Sequence, residues 1–238
     1  MSSSVDAHET ARPAGDATQD DPLLIIVMGV SGCGKSTLGA NLAAALSLPF
    51  LDADDLHPPS NVQKMSDGIP LTDADRAPWL VRVRDEAARA VETDAHGVVI
   101  ACSALKEAYR AVLRGERIAV AEAPDEDEAA ILRTAREAHP DAHPAAGAAG
   151  VPDEKHPAEH ALRTYFVHPH GPRDVLLARM SHRKEHFMKA SMLDSQLATL
   201  EDPTTTGEQN VVPVSIEHSP EEQRDSALEQ LRQLAAIP

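Results

Sequence analysis

The chain has 238 residues, 42% of them hydrophobic but only 3% aromatic, which allows a single α/β domain whose core is filled by aliphatic side chains and alanine. A formal net charge of −16 argues against nucleic acid and anionic membranes as partners, because the overall field repels them, although a phosphate site can still be locally basic. Two cysteines, Cys33 and Cys102, exclude a disulfide framework and fit reduced thiols in the cytoplasm, and no apolar run approaches the roughly 20 residues that span a bilayer.

Residues 1–21 are polar and acidic, with neither a basic nor an apolar segment of a secretory signal, and read as a disordered tail. Leu23 to Met28 is a continuous apolar run that stops at Gly29, as a buried parallel strand does. Lys35 to Leu46, rich in Ala and Leu, predicts a helix, and Pro49 to Leu51 begins a short second strand. A polar stretch follows, with one short helix around Ser60 to Ser66 and a longer one from Thr72 to about Thr93. Thr72 and Asp75 have the spacing of a capping box, and Pro78 falls near the first turn. Gly97 to Cys102 is a third strand and Leu105 to Leu113 the helix behind it.

Residues 116–161 differ in kind. They are rich in Ala, Pro, His and acid, and their eleven acids and four bases carry seven of the chain's sixteen net negative charges. Such a tract buries too little apolar surface to offset its ordering entropy, and it reads as a low-complexity surface insertion. Ile118 to Ala121 and Glu126 to Ala138 within it suit a short strand and a helix. His139 and His143 stand four apart, as do His156 and His160, but Pro140 and Pro157 break helical geometry, so a solvated loop is favoured over a metal site. Beyond it, Arg163 to His168 is a fourth strand, Pro172 to Arg183 and Met192 to Thr199 are helices, and Asn210 to Ile216 is a fifth strand. Pro213 in that last strand suits a sheet edge or a bulge. Ser219 to Ala236 is a closing helix, with Ser219 as cap, Pro220 first and acids after it. Alternation of strands and helices predicts a parallel sheet covered on both faces.

The residues from Gly29 to Ser36 fit GxxxxGK[ST], entered from a strand and left by a helix. Glycines let the loop turn backbone N–H groups onto a phosphate, and the helix adds the positive end of its dipole. Gly29, Ser31, Gly32, Cys33, Gly34, Lys35, Ser36 and Thr37 are therefore the candidate nucleotide site, with Lys35 reaching the β- and γ-phosphates and Ser36 placed to ligate Mg²⁺. No guanine-reading NKxD follows a strand, and the third strand ends in Cys-Ser rather than the Asp of an ATPase motor. Cys33, at a helix N-terminus, is expected to have a lowered thiol pKa and to be open to oxidation. Past the second strand, Asp52, Asp54, Asp55 and His57 stand where open α/β sheets bind ligands, and carboxylates there can hold Mg²⁺ through water or accept a hydroxyl proton.

At these residues the chain resembles the gluconate kinase family, a branch of the P-loop kinases similar to shikimate and adenylate kinases. The shared stretches are GVSGCGKST (29–37), FLDADDLHPPSNVQKMSDGIPLTDADRAPWL (50–80), ACSALKEAYR (101–110), RKEHFMKASMLDSQLATLE (183–201) and VVPVSI (211–216). The resemblance implies a P-loop NTPase fold with a five-stranded parallel sheet, order 2-3-1-4-5, over residues 22–238, a lid at about 179–200, and a homodimer. It implies transfer from MgATP to the terminal hydroxyl of D-gluconate, which would feed the pentose phosphate pathway. Asp54 is implied as the base and Asp52 as a water-mediated Mg²⁺ partner, the two roles being exchangeable. His57, Lys64 and Arg76 would hold hydroxyls and carboxylate, with Ser103 and Lys106 as further substrate candidates. Trp79 is either core packing or a wall of the pocket. In the lid group Arg179, Arg183, Lys184 and His186, Arg183 would meet the transferring phosphoryl and Arg179 would stack on adenine, with Pro220 closing the other side. The insertion at 116–161 departs from the family. Two rival readings are a kinase of another small hydroxy acid, such as shikimate, and a nucleotide-binding protein without turnover.

Overall fold

A computed structural model describes residues 18–92, 96–116, 161–181 and 190–238. The proposed strand and helix at 118–121 and 126–138, the histidine pairs, Lys184 and His186 lie outside them, as do residues 1–17 of the expected tail. Thr18 to Asp21 form a turn, which Arg163 grips through its Nε on the Asp21 carbonyl (3.0 Å) and Nη1 on Gln19 (3.2 Å).

In chain order the elements are β1 (Leu23–Val27), α1 (Lys35–Leu46), β2 (Phe50–Asp52), a 3-10 turn (Ala53–Leu56), α2 (Pro59–Ser66), α3 (Asp73–Glu92), β3 (Gly97–Ala101), α4 (Glu107–Arg114), β4 (Arg163–His170), α5 (Arg173–Ser181), α6 (Ala190–Thr199), α7 (Pro203–Thr206), β5 (Val211–Ser215) and α8 (Pro220–Gln233). The strands form one parallel sheet in the order β2-β3-β1-β4-β5, as the resemblance implies. The 3-10 turn and α7 carry no apolar period and were not expected.

β1 shows why a continuous apolar run is needed at the centre of such a sheet. Successive side chains alternate faces. Leu24, Ile26 and Met28 join Val98, Ile100 and Phe166 under Trp79, Leu80 and Val83 of α3 and Tyr109 and Leu113 of α4. Leu23, Ile25 and Val27 join Val99, Val167 and Val212 under Leu38 and Leu42 of α1 and Leu228 and Leu231 of α8. Pro213 sits on β5, an edge strand paired only with β4, where a missing N–H costs no ladder bond. The Thr72–Asp75 capping box closes as its spacing predicts, and the Ser219 cap proves to be a capping box as well. Thr72 N–H donates to Asp75 Oδ2 at 2.9 Å and Asp75 N–H returns to Thr72 Oγ1 at 3.2 Å, while Ser219 and Glu222 exchange the same pair at α8. Pro78 is the sixth residue of α3 and so lies in its second turn, where the helix continues past it.

His168, near the end of β4, is 1% exposed, and neither ring nitrogen has a hydrogen-bond partner among the described residues. Its ring stacks on that of His170, with centroids 5.5 Å apart. Burial pushes its pKa from the ordinary 6.5 down to about 4; repulsion from His170 and Arg110 adds to this, and Asp202 opposes it. The folded state therefore holds His168 neutral while the unfolded chain takes up its proton. The resulting stability is complete above pH 6.5 and falls as pH drops toward 4, by roughly 3 kcal/mol in all. Urea unfolding at pH 7.5, 6 and 4.5 is expected to show this loss, and His168→Leu to flatten it by about one proton. An unchanged slope in that variant would show that His168 is not the group responsible.

Candidate active site

Parallel strands put all their carboxyl ends on one edge, and the candidate residues collect there. β1 feeds the loop from Gly29, which turns at Gly29 (φ 122°), Gly32 (φ 83°) and Gly34 (φ 98°). A side chain at Gly32 would be strained by that φ and would also approach Met180 Cγ to 2.8 Å and the Leu176 carbonyl to 3.0 Å. Gly34 caps α1 in the left-handed region, so Lys35, Ser36 and Thr37 form the first turn with their N–H groups unclaimed by the helix. Lys35 Nζ lies back over the loop, donating to the Val30 carbonyl at 3.1 Å. The Gly29 N–H donates to the Ser103 carbonyl at 3.0 Å, which ties the loop to the end of β3. Ser103 thus meets the site through its backbone.

The expectation for Cys33 is corrected. Its side chain is fully buried among Val30, Leu105, Leu176 and Met180, with Sγ 3.9 Å from the Met28 carbonyl. Burial raises the thiol pKa and outweighs the lowering by Lys35 and the backbone, so the reactive thiolate is disfavoured.

Across from the loop, Asp52 ends β2. Ser36 Oγ donates to Asp52 Oδ2 at 2.8 Å, and Asp52 Oδ1 accepts the Asp54 N–H at 3.2 Å as the cap of the 3-10 turn. One carboxylate therefore both touches the phosphate loop and fixes the residue that carries the second one. Asp54 is exposed. Burial first, then the charges of Asp54 and Asp52, push the buried Cys102 thiol up to about 12, against the Ala104 amide and Lys35. A hydroxyl beside a carboxylate, both on an open edge, is a hard-oxygen donor set that suits Mg²⁺. Among the described residues no group of three or more His, Cys, Asp or Glu could hold a metal, and a Mg²⁺ that keeps its waters needs none.

The acceptor side is built on α2, α3 and α4. The His57 ring stacks on Trp79, with centroids 4.1 Å apart and planes 14° apart, and Trp79 Nε1 donates to the Ala53 carbonyl at 2.8 Å. Trp79 is therefore core on one side and the bed of His57 on the other. Burial, with the charge of Arg76 adding, pushes His57 from 6.5 down to about 4, so it is neutral at pH 7. The buried Asn61 amide bridges His57 Nδ1 (3.4 Å) and the Asp75 carbonyl (2.8 Å). Lys64 pairs with Asp75 at 2.7 Å, which, with the Thr72 bonds, holds that carboxyl down to about 2. Lys106 pairs with Asp73 at 2.6 Å, and Asp73 also accepts from the Tyr109 hydroxyl. Arg76 donates to the Leu71 carbonyl and lies 5.8 Å from the centre of the Tyr109 ring. The expected substrate cations are thus each engaged by this protein's own groups, and Asn61, Asp73 and Tyr109 belong with them. No local pattern marked those three.

On the other side of the loop a cavity of ≈ 520 Å³ is lined by Gly32, Gly34, Thr37 and Leu38, by Ala178 and Arg179 of α5, and by Pro220 and Gln223 of α8. It brings together Arg179 and Pro220, 41 positions apart in the sequence. The Arg179 guanidinium donates to the Ile216 carbonyl. Arg183 lies outside the described residues.

Residues 31–140 match the family model of shikimate kinase. A gluconokinase of Gluconobacter oxydans is 39% identical over 88% of this chain and 89% of its own length. The thermosensitive gluconokinase of Escherichia coli is 35% identical over 81% of this chain and 79% of its own. A crystal structure of a gluconokinase from Sinorhizobium meliloti superposes with a TM-score of 0.64 at 37% identity, covering 90% of this chain and 94% of that one.

Proposed function

The chain belongs to the gluconokinase family, and from that premise we propose that it transfers the γ-phosphoryl group of ATP to D-gluconate, giving 6-phospho-D-gluconate. The observation that carries the reading is the Ser36–Asp52–Asp54 chain, which sets a phosphate loop and an exposed carboxylate on one edge.

In this reading the loop amides and Lys35 grip the triphosphate, with adenine in the cavity between Arg179 and Pro220. Ser36 and, through water, Asp52 would hold Mg²⁺, which would supply charge neutralisation at the phosphate oxygens. Asp54 orients the terminal hydroxyl and takes its proton. Neutral His57 meets a hydroxyl rather than the carboxylate. Arg76, Lys64 and Lys106 take the carboxylate and remaining hydroxyls by exchanging present contacts, and Arg suits a carboxylate because its fork binds both oxygens. Residues 179–200 are assigned as the lid and Arg183 as its phosphoryl-facing cation, on the strength of the family resemblance. The same resemblance supports a homodimer in the cytoplasm that supplies the pentose phosphate pathway. No helix among the described residues is long and apolar enough to cross a membrane.

The match to the shikimate kinase model favours one second reading, a different hydroxy-acid acceptor. A coupled assay of ADP release, run with gluconate, with shikimate and with neither, separates the two. Turnover is expected with gluconate alone. Turnover with shikimate instead would transfer the assignment, and ATP binding without turnover on either would leave a nucleotide-binding protein.

A further inference from the structure

We propose that Gln196 is a positioning residue for nucleotide binding, acting through the backbone of the phosphate loop. The Ser31 N–H, third residue of the loop, donates to Gln196 Oε1 at 2.7 Å, across 165 positions of sequence. Ser31 lies between Gly29 and Gly32, both at positive φ, and its amide is turned toward α6.

In this structure the partner helix, which falls within the assigned lid, packs directly on the phosphate loop. Leu193 is fully buried with Val30 and Cys33 of the loop and with Leu176, Met180 and Ile216, and Leu197 and Leu200 pack on the same cluster. Leu193 and Leu197 share one face of α6 and Leu200 follows its end, and Gln196 borders that face, so its amide is delivered to the rim of an apolar contact. Arg173 fixes the outer side of α6 through two bonds to Asp194, at 2.6 and 2.9 Å, and the Glu201 N–H fixes its end on the Leu105 carbonyl at 2.9 Å. The loop's apolar side chains thus set its distance from α6, and the Gln196 bond sets the rotation of a peptide within it. A phosphate-wrapping loop needs that rotation fixed, because each N–H contributes only when aimed correctly. This sharpens the kinase reading and rests on it for the identity of the ligand.

Gln196→Met keeps length and packing and removes the acceptor. A single partly buried hydrogen bond of ordinary strength corresponds to roughly 3- to 10-fold in affinity. In the Met variant calorimetry is expected to show ADP bound about that much more weakly, and KM for ATP to rise to match, with KM for gluconate and the melting temperature near wild type. ADP affinity and ATP KM equal to wild type would overturn the assignment. So would a parallel loss for both substrates together with a lowered melting temperature, which marks a merely structural role. Should wild type bind ADP yet fail to turn over gluconate, the kinase reading would fall, while the ADP comparison would still decide Gln196.

Discussion

Asp54→Asn is expected to lower kcat for gluconate phosphorylation on the order of 100- to 10,000-fold, with KM for ATP little changed. The substitution keeps the size of the side chain and the bond from its own N–H to Asp52 Oδ1, so the 3-10 turn and the Ser36–Asp52 contact survive. On the proposed mechanism, what is lost is the charge that would orient a primary hydroxyl and accept its proton as the bond to phosphorus forms. Asp52→Asn makes the complementary comparison. It weakens an oxygen donor beside Ser36, and its expected signature is a higher Mg²⁺ concentration for half-maximal rate. Coupled ADP release across a Mg²⁺ titration reads both. If Asp54→Asn retains wild-type kcat, Asp54 is not the base; if that variant shows the Mg²⁺ shift instead, the two carboxylates exchange roles.

Glu208→Ala is expected to destabilise the fold by about 3–5 kcal/mol without touching the site chemistry. Arg110 is 0% exposed on α4, and each of its three side-chain nitrogens donates a hydrogen bond. Nε donates to Glu208 at 2.8 Å, Nη1 to the Ala104 and Leu105 carbonyls at 3.0 and 3.2 Å, and Nη2 to the Glu201 carbonyl at 3.1 Å, while Nη2 also forms an ion pair with Glu208 at 2.7 Å. Arg114 completes the triad on Glu208. Burial opposes ionisation of Glu208, but hydrogen bonds from Arg110 and then Arg114 outweigh it and hold its carboxyl below the usual range. Removing the carboxylate leaves a buried guanidinium short of its counter-charge, which is why the loss exceeds the worth of an exposed pair. Thermal unfolding is expected to fall by roughly 6–20 °C. A fall under about 2 °C would mean that water replaces Glu208 and that the triad does not lock α4 to the loop before β5.

The two variants test different layers of the molecule, and the sequence revealed these layers unequally. β1, the phosphate loop and α1 could be read from 24 consecutive residues, because a buried strand, left-handed glycines and a helix each impose a local pattern. The Thr72–Asp75 capping box and the Ser219 cap were legible for the same reason, and Pro213 limited its strand to an edge or a bulge. The placing of Asp52 at a strand end and of Asp54 just beyond it followed from chain direction alone, and the expected substrate from a family resemblance rather than from any spacing.

Long-range partners are another matter. Gln196 meets Ser31 and Glu208 meets Arg110 only because distant segments pack side by side, and neither pair leaves a periodic trace. Folding likewise decided that Lys64 and Lys106 would be paired with Asp75 and Asp73, and that His57 would lie on Trp79 and stay neutral. Cys33 shows the division most plainly. Its position at a helix N-terminus predicts a reactive thiol, but the surrounding core buries it and raises its pKa. Backbone conformation and amphipathic pattern are properties of neighbours along the chain, so the sequence determined them. Burial, desolvation and charge pairing are properties of neighbours in space, and only the tertiary structure decided those.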